Sequence, residues 1–281
     1  MEIQNSITNI IAEFPSHYRV ANNTRTNWLE PVIGFADAED PLFEFLKTIV
    51  SPTHALPNEI VPGAKSVVAY FVPFERRVNE SNIPEEESSI EWDYAYIETN
   101  QMLNALSKYL HAWVCREGYD SSEIPATYNY DPIALKSDWS HRSAAYIAGV
   151  GTFGVNNMLI TDKGCCGRIG SVITTIPLKA TVRPTEEYCL FKNRGTCLAC
   201  VKRCPIGALK VDRSKAVMAT GSQLALGGAA AYGVFYDRHL CNSQIFDKMV
   251  RHFDNGDADT CGKCLVGLPC SMVNPCRDGR I

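Results

Sequence analysis

The chain has 281 residues, 46% of them hydrophobic and 21% charged, with a net charge of −4. That length can bury one large core, or one core plus a small satellite, and the acidic balance gives no support for a large nucleic-acid partner, which usually rides on a basic surface. No apolar run reaches the roughly 20 residues of a bilayer-spanning helix, so no membrane partner is expected, and the acidic, helically patterned N-terminus does not read as an export signal.

Ile3, Ile7, Ile10, Ile11 and Phe14 fall at helical spacing, which predicts an amphipathic helix over 1–15 ended by Pro15. A short helix follows over 40–50, with Asp40 as its cap, Pro41 at its first position and Phe43, Phe45, Leu46 and Ile49 available to a core. The nearly unbroken apolar run at 65–74 predicts a strand buried on both faces. Residues 79–90 carry Pro84 and four glutamates and read as a solvated loop. A long helix spans 92–117, with Tyr96, Met102, Leu103, Leu106, Tyr109, Leu110 and Trp113 spaced for burial. A further helix over 137–148 would be capped by Ser137 or Asp138. Two strands, 158–161 and 169–175, flank a turn rich in glycine and cysteine. The mixture predicts an α/β (α+β) domain over 1–180. Composition shifts near 178–184, and residues 181–281 read as a second domain built around cysteines.

There are twelve cysteines, nine of them after residue 188. A secreted disulfide scaffold would be shorter and would carry a signal peptide, so a cytoplasmic chain with reduced thiols free for metal is expected. Cys189, Cys197, Cys200 and Cys204 form one group, the last followed by Pro205; Cys241, Cys261, Cys264 and Cys270 form another. Cys-x2-Cys-x3-Cys-Pro is the run in which the final thiolate of two-cluster ferredoxins crosses to the other cluster. The crossing predicts a ferredoxin-like domain with two [4Fe–4S] clusters. One would be held by Cys189, Cys197, Cys200 and Cys270, the other by Cys204, Cys241, Cys261 and Cys264. Residues 190–196 would loop out, and Cys276 is an alternative to Cys270. A pair of zinc sites is the competing reading of Cys-x2-Cys. Cys115 reads as structural. Cys165 and Cys166, in a glycine-flanked turn, read either as small loop residues or as a redox-active or substrate-facing pair.

Gly149-Val-Gly151-Thr-Phe153-Gly154 matches the dinucleotide fingerprint, but a helix precedes it and no strand does, so nicotinamide binding is not expected. The glycines mark a tight turn where backbone approaches something flat or bulky. Tyr128 and Tyr130 lie upstream, and a tyrosine can donate a proton in reductive chemistry.

The segment 148–160, then Arg168-Ile-Gly-Ser-Val-Ile-Thr174, then Asp237-Arg-His-Leu-Cys241, together with the order of the eight cysteines, resembles the epoxyqueuosine reductase family over roughly 60–275. The reductive dehalogenases are its distant relatives. The resemblance implies a reductase in which electrons from a donor such as ferredoxin or flavodoxin pass through both clusters to a cobalamin held on the N-terminal domain. It places Gly149, Gly151, Phe153, Gly154, Asn156 and Asn157 beside the corrin; His141 and Arg142, on the helix leading into that turn, read either as facing a cofactor phosphate, an amide or the substrate, or as surface or capping residues. Asp131 and Asp138 lie near the position of the family's catalytic aspartate, although neither aligns without a gap, and Tyr130 is a further candidate. Gly154-Val155-Asn156 stands where the family has Gly-Lys-Asn, and no tRNA-reading helical repeats follow the cysteines. A small-molecule or unidentified substrate is therefore expected, and tRNA is not. Two alternatives stay open: an electron-transfer protein serving a partner enzyme without its own cobalamin, and a flavin in the N-terminal domain.

Overall fold

The structure, a computed structural model, describes residues 2–212 and 233–277. The first part of the chain runs α1 (Glu2–Asn22), β1 (Val32–Asp37), α2 (Pro41–Ile49), α3 (Pro57–Ile60), β2 (Ser66–Pro73), α4 (Arg76–Ser81), α5 (Ile90–Arg116), α6 (His141–Ile147), β3 (Gly151–Phe153), β4 (Leu159–Thr161) and β5 (Gly167–Thr174). Strand β2 lies between β1 and β5 in an antiparallel sheet, with Val68 opposite Phe35 and Val172.

All eight residues of β2 are buried. The two-residue period of a strand explains how. Val68, Tyr70 and Val72 enter one core with Ile7 and Ile11 of α1 and Met102, Leu106 and Leu110 of α5. Val67, Ala69 and Phe71 enter a second core with Phe43 and Leu46 of α2 and Ala144, Ala145 and Ile147 of α6. The result is a helix–sheet–helix sandwich of mixed α/β type, and its sheet is antiparallel throughout.

Among its described residues the cysteine-rich part has short elements: α7 (Leu190–Arg194), α8 (Ala199–Arg203), β6 (Leu209–Val211), β7 (Val234–Tyr236), α9 (Arg238–Gln244) continued by a π-helical turn (Ile245–Met249), β8 (Arg251–Phe253) and β9 (Gly256–Ala258). Tyr188, Cys189, Cys200, Val234, Leu265, Val266 and Leu268 join the same core as Ile7 and Leu106. Apolar packing is therefore continuous across residues 178–184.

Four expectations about elements need correction. Helix α1 continues to Asn22 with Pro15 inside it. Proline removes a ladder hydrogen bond, but its ring is buried, and beyond it Tyr18 packs on Phe14 and Trp28 with ring centroids 6.0 and 6.3 Å away. Helix α6 begins at His141, capped by Ser140, whose Oγ accepts from Ser143 N at 3.2 Å. Ser137 and Asp138 are engaged elsewhere: Ser137 Oγ donates to Tyr128 O, and Asp138 Oδ1 accepts from Thr53 Oγ1. Residues 79–90 are not simply a solvated loop, since Asn79, Asn82 and Ser88 are buried. Residues 190–196 do not merely loop out; most of them form α7, which ends at Gly195 with φ +71°.

In β1, a Cβ at Gly34 would lie 2.1 Å from the Ala148 carbonyl oxygen and 2.9 Å from Val150 Cγ2, because the end of α6 crosses the strand there. Backbone on one side and a buried side chain on the other leave no room to yield. Gly34→Ala is expected to destabilise the protein by about 2–3 kcal/mol, the scale of overpacking, read as a lowered denaturation midpoint; an unchanged midpoint would disprove the close approach.

Candidate cysteine cavity and cationic cleft

Cys189, Cys197, Cys200 and Cys270 line one small cavity, together with Gly154, Val155 and Asn156. Cys189 sits at the start of α7 and Cys200 lies within α8. Cys270 is fixed by main chain: its carbonyl accepts from Cys165 N at 3.0 Å. Cys276 does not line the cavity; its Sγ donates to Tyr188 O at 3.3 Å. All twelve cysteines are free thiols. Burial pushes the Cys200 thiol up, and the neighbouring Cys270, Cys189 and Cys197 push it further. A hydrogen bond with Cys165, then burial, does the same to Cys270.

The other four thiols crowd one another in the same way. Burial raises Cys264, and so do Cys261, Cys200 of the first group, Cys241 and Cys204; Cys261 in turn feels Cys241 and Cys204. Cys204 Sγ accepts from Ala208 N at 3.2 Å, an amide-to-sulfur contact of the kind that stabilises cluster thiolates. Among the described residues no three His, Cys, Asp or Glu side chains converge at the distance of a single metal ion. The first four sulfurs ring a space instead of meeting at a point. An all-thiolate donor set around a cavity, with thiols whose ionisation burial opposes, fits a multinuclear iron–sulfur group that would draw the protons off.

Beside these cysteines lies an open cleft of about 730 Å³. Phe71, Tyr130, Trp139, Phe153 and Tyr236 give it aromatic walls, and it is reached by Cys241 of the second thiol group and by Cys165, whose N–H donates to Cys270 O. Lys136, Arg142, Arg168 and Arg238 supply cations. Arg142 Nη1 donates to Asn157 O at 2.7 Å and contacts Met158 Sδ at 3.5 Å. The Arg168 guanidinium lies 4.4 Å over the Tyr96 ring. Burial pushes both guanidinium groups down.

His141 is at the cleft but is held from within. Trp139 Nε1 donates to Ser171 Oγ at 3.0 Å, Ser171 Oγ lies 2.7 Å from His141 Nδ1, and Nε2 lies 2.9 Å from Pro125 O. A carbonyl can only accept, so Nε2 carries the proton and the Ser171 hydroxyl donates to Nδ1. Burial favours this neutral ring and lowers its pKa.

The remaining predicted residues divide. Tyr130, Phe153 and Asn157 line the cleft, with His141 and Arg142. Gly154 and Asn156 face the cysteine cavity instead. Gly149 packs on residues 181–182, and a Cβ at Gly151 would lie 2.1 Å from Ile160 O in the β3–β4 hairpin. Asp131 is exposed and accepts from the backbone N–H groups of Ala134 and Ile133, which hold its carboxyl low. Neither it nor Asp138 is part of the cleft wall. Lys136, Arg168, Arg238 and Trp139 reach the cleft without having been singled out as site residues; Arg168 stood in the segment 168–174 that carries the family resemblance. Cys165 and Cys166 are both buried, Cys165 on the cleft wall and Cys166 with its Sγ 3.2 Å from Leu265 O.

A histidine whose folded pKa lies below its unfolded value near 6.5 stabilises fully above that value and progressively less as pH falls below it, because the unfolded chain takes the proton first. The stability advantage of the wild type over His141→Gln is expected to shrink between pH 7.5 and pH 5.5 in denaturant titrations; an advantage that stays constant or grows would contradict the neutral buried ring.

No protein-family model matches the chain. A stretch of 95 residues is 30% identical to the epoxyqueuosine reductase of Yersinia pestis, covering 34% of this chain and 22% of that protein. Among solved structures, the epoxyqueuosine reductase of Streptococcus thermophilus superposes with a TM-score of 0.53 at 16% identity, over 96% of this chain and 66% of that one. An epoxyqueuosine reductase with an epoxyqueuosine-modified tRNA-Tyr stem loop gives 0.51 at 17% identity, over 94% and 66%. A reductive dehalogenase described as B12-dependent gives 0.50 at 15% identity, over 77% and 27%. The chain thus spans about two thirds of the length of the solved epoxyqueuosine reductases it resembles, and it shares their fold.

Proposed function

We propose, for a chain that resembles the epoxyqueuosine reductases in sequence and fold, that it is a reductase carrying two [4Fe–4S] clusters and a cobalamin. Cys189, Cys197, Cys200 and Cys270 would hold one cluster, and Cys204, Cys241, Cys261 and Cys264 the other. The observation that supports this reading is the convergence of Cys189, Cys197, Cys200 and Cys270 on one cavity with Gly154 and Asn156, with Cys264 crowded by Cys261, Cys241 and Cys204 and also by Cys200. At about 730 Å³ the cleft lies within the roughly 300–1,000 Å³ span of small-molecule and cofactor sites. It is open, and it meets Cys241 of one group and Cys165, the hydrogen-bond partner of Cys270, of the other. Those features fit a large redox cofactor. When bound, cobalamin supplies low-potential reducing chemistry at cobalt, and the clusters supply its electrons.

The chain's own residues set the conditions. Phe71, Trp139 and Phe153 keep water from the inner wall. The chain from Trp139 through Ser171 to His141 fixes that wall in one tautomer and one orientation. Tyr130 is on the wall and exposed to solvent; its hydroxyl, protonated at neutral pH as in any tyrosine, is placed to donate a proton to a reduced substrate. Asp131 and Asp138 are given no catalytic part.

Anaerobically purified or reconstituted protein should contain about eight irons per chain, no stoichiometric zinc, and one cobalamin with a cob(II)alamin spin signal. Cys270→Ser should halve the iron and Cys276→Ser should leave it unchanged. Zinc in place of iron would end the proposal, and full iron without cobalamin uptake would reduce it to an electron-transfer protein.

A further inference from the structure

Among the described residues the cleft wall carries Lys136, Arg142, Arg168 and Arg238 and no aspartate or glutamate. Buried cations are ordinarily paired, because an unpaired charge away from water is costly. Their direct contacts are to neutral groups, although Cys264, a thiolate under the cluster reading, lies in the surroundings of Arg142. Both contacts of Arg142 run through Nη1, to a carbonyl and a thioether. Arg238 Nη1 donates only to Ala134 O, at 3.4 Å. Arg168 rests on the face of Tyr96, with Asp259 the acid in its surroundings. Among the described residues the ion pairs within 4 Å involve other arginines, Arg76, Arg183, Arg251 and Arg277, and none of these three.

We propose that the cleft takes its substrate by an oxyanion group, a carboxylate or a phosphate, bound by Arg142 and Arg238 in the field of Arg168 and Lys136. A guanidinium with Nε and Nη2 uncommitted offers the planar fork that such groups fit. Phe71, Trp139 and Phe153 receive an apolar body behind the anion. The substrate class is thus an oxyanion on an apolar, ring-sized frame. Assigning the anion to a substrate rests on the reductase reading; the anion site itself does not.

Cluster-loaded protein, with and without cobalamin, is titrated calorimetrically with benzoate, phenyl phosphate and benzamide, the last being the neutral counterpart of benzoate. The anions should bind at least tenfold more tightly than benzamide, and their affinity should fall as salt is raised. Tighter binding of phenyl phosphate than of benzoate assigns a phosphate, and the reverse a carboxylate. Arg142→Gln should weaken the preferred anion at least tenfold. Arg238→Gln should weaken it several-fold, and as a residue with a single long internal contact it should fold normally by circular dichroism if Arg142→Gln does not. Equal binding of benzamide and benzoate, or affinity untouched in both variants, overturns the proposal. Anion binding that disappears when cobalamin is loaded would assign the cations to the cofactor's phosphate and overturn the substrate reading. Arginine-dependent binding by a chain that takes up no cobalamin would sink the proposed function and leave the anion site standing.

Discussion

A seam of main-chain hydrogen bonds joins the cysteine loops to the start of β5, and both candidate sites depend on it. Cys165 N donates to Cys270 O and Ser271 O, and Cys166 N donates to Ser271 O, all at 3.0–3.1 Å. Asn156 Nδ2 adds a bond to Cys264 O at 2.8 Å, and Tyr188 N donates to Thr152 Oγ1 at 2.8 Å. The approach is close enough to dictate sequence. At Gly164, with φ +81°, a Cβ would lie 2.4 Å from Ser271 O, so neither the dihedral nor the space admits a side chain. Opening the seam would displace Cys270 from its cavity and Cys165 from the cleft wall together.

A second anchorage holds the other cysteine group. Lys263 is buried and donates to Asn82 O and Pro84 O, both at 2.9 Å, while Asn82 Nδ2 donates to Cys261 O at 3.0 Å. Trp92 Nε1 donates to Thr260 Oγ1, and its ring covers Gly262 so closely that a Cβ there would lie 2.2 Å from it. Arg251 closes the set by bridging Asp93 and Glu87 at 2.8 Å. Burial raises the Asp93 carboxyl in spite of that partner. Such a pair contributes little net stability but penalises any other placement. The segment between α4 and α5 is therefore a seat for the cysteine loop, which is why its Asn82 and Ser88 are inside.

Periodicity made some of this legible. The apolar run of β2 and the heptad-like spacing of α5 appear as the central strand and the longest helix because burial on both faces leaves few alternatives. Of the cysteine spacing, the structure bears on one set, bringing Cys189, Cys197, Cys200 and Cys270 to a common cavity although the last lies far from the first three in sequence. Pro15 and the cap of α6 were not legible, because each depends on tertiary partners, Phe14 and Trp28 in one case and Tyr128 and Thr53 in the other. The glycine turn was half legible. Its need for bare backbone is real, but the approaching groups are Ile160 O and residues 181–182, and its far end is shared between the cleft and the cysteine cavity. Asp131 and Asp138 were chosen by sequence proximity, which carries no information on direction. One side chain turns back on its own loop and the other onto Thr53.

Net charge misleads for a related reason. A total of −4 argues against a polyanionic partner only if charge is spread evenly. Here Glu85, Glu86 and Asp131 are on the exposed surface, whereas four cations share a cleft whose wall, among the described residues, has no acid. The potential that a ligand meets is set by that local excess, strengthened where aromatic walls exclude water. The same low-dielectric setting raises the thiol pKa values of the adjoining cysteines. Burial thus favours an anion where cations are fixed and favours a metal where thiols must lose their protons. One sheet edge, by bringing Cys165 within hydrogen-bond reach of Cys270 while it faces the cleft, places both demands side by side.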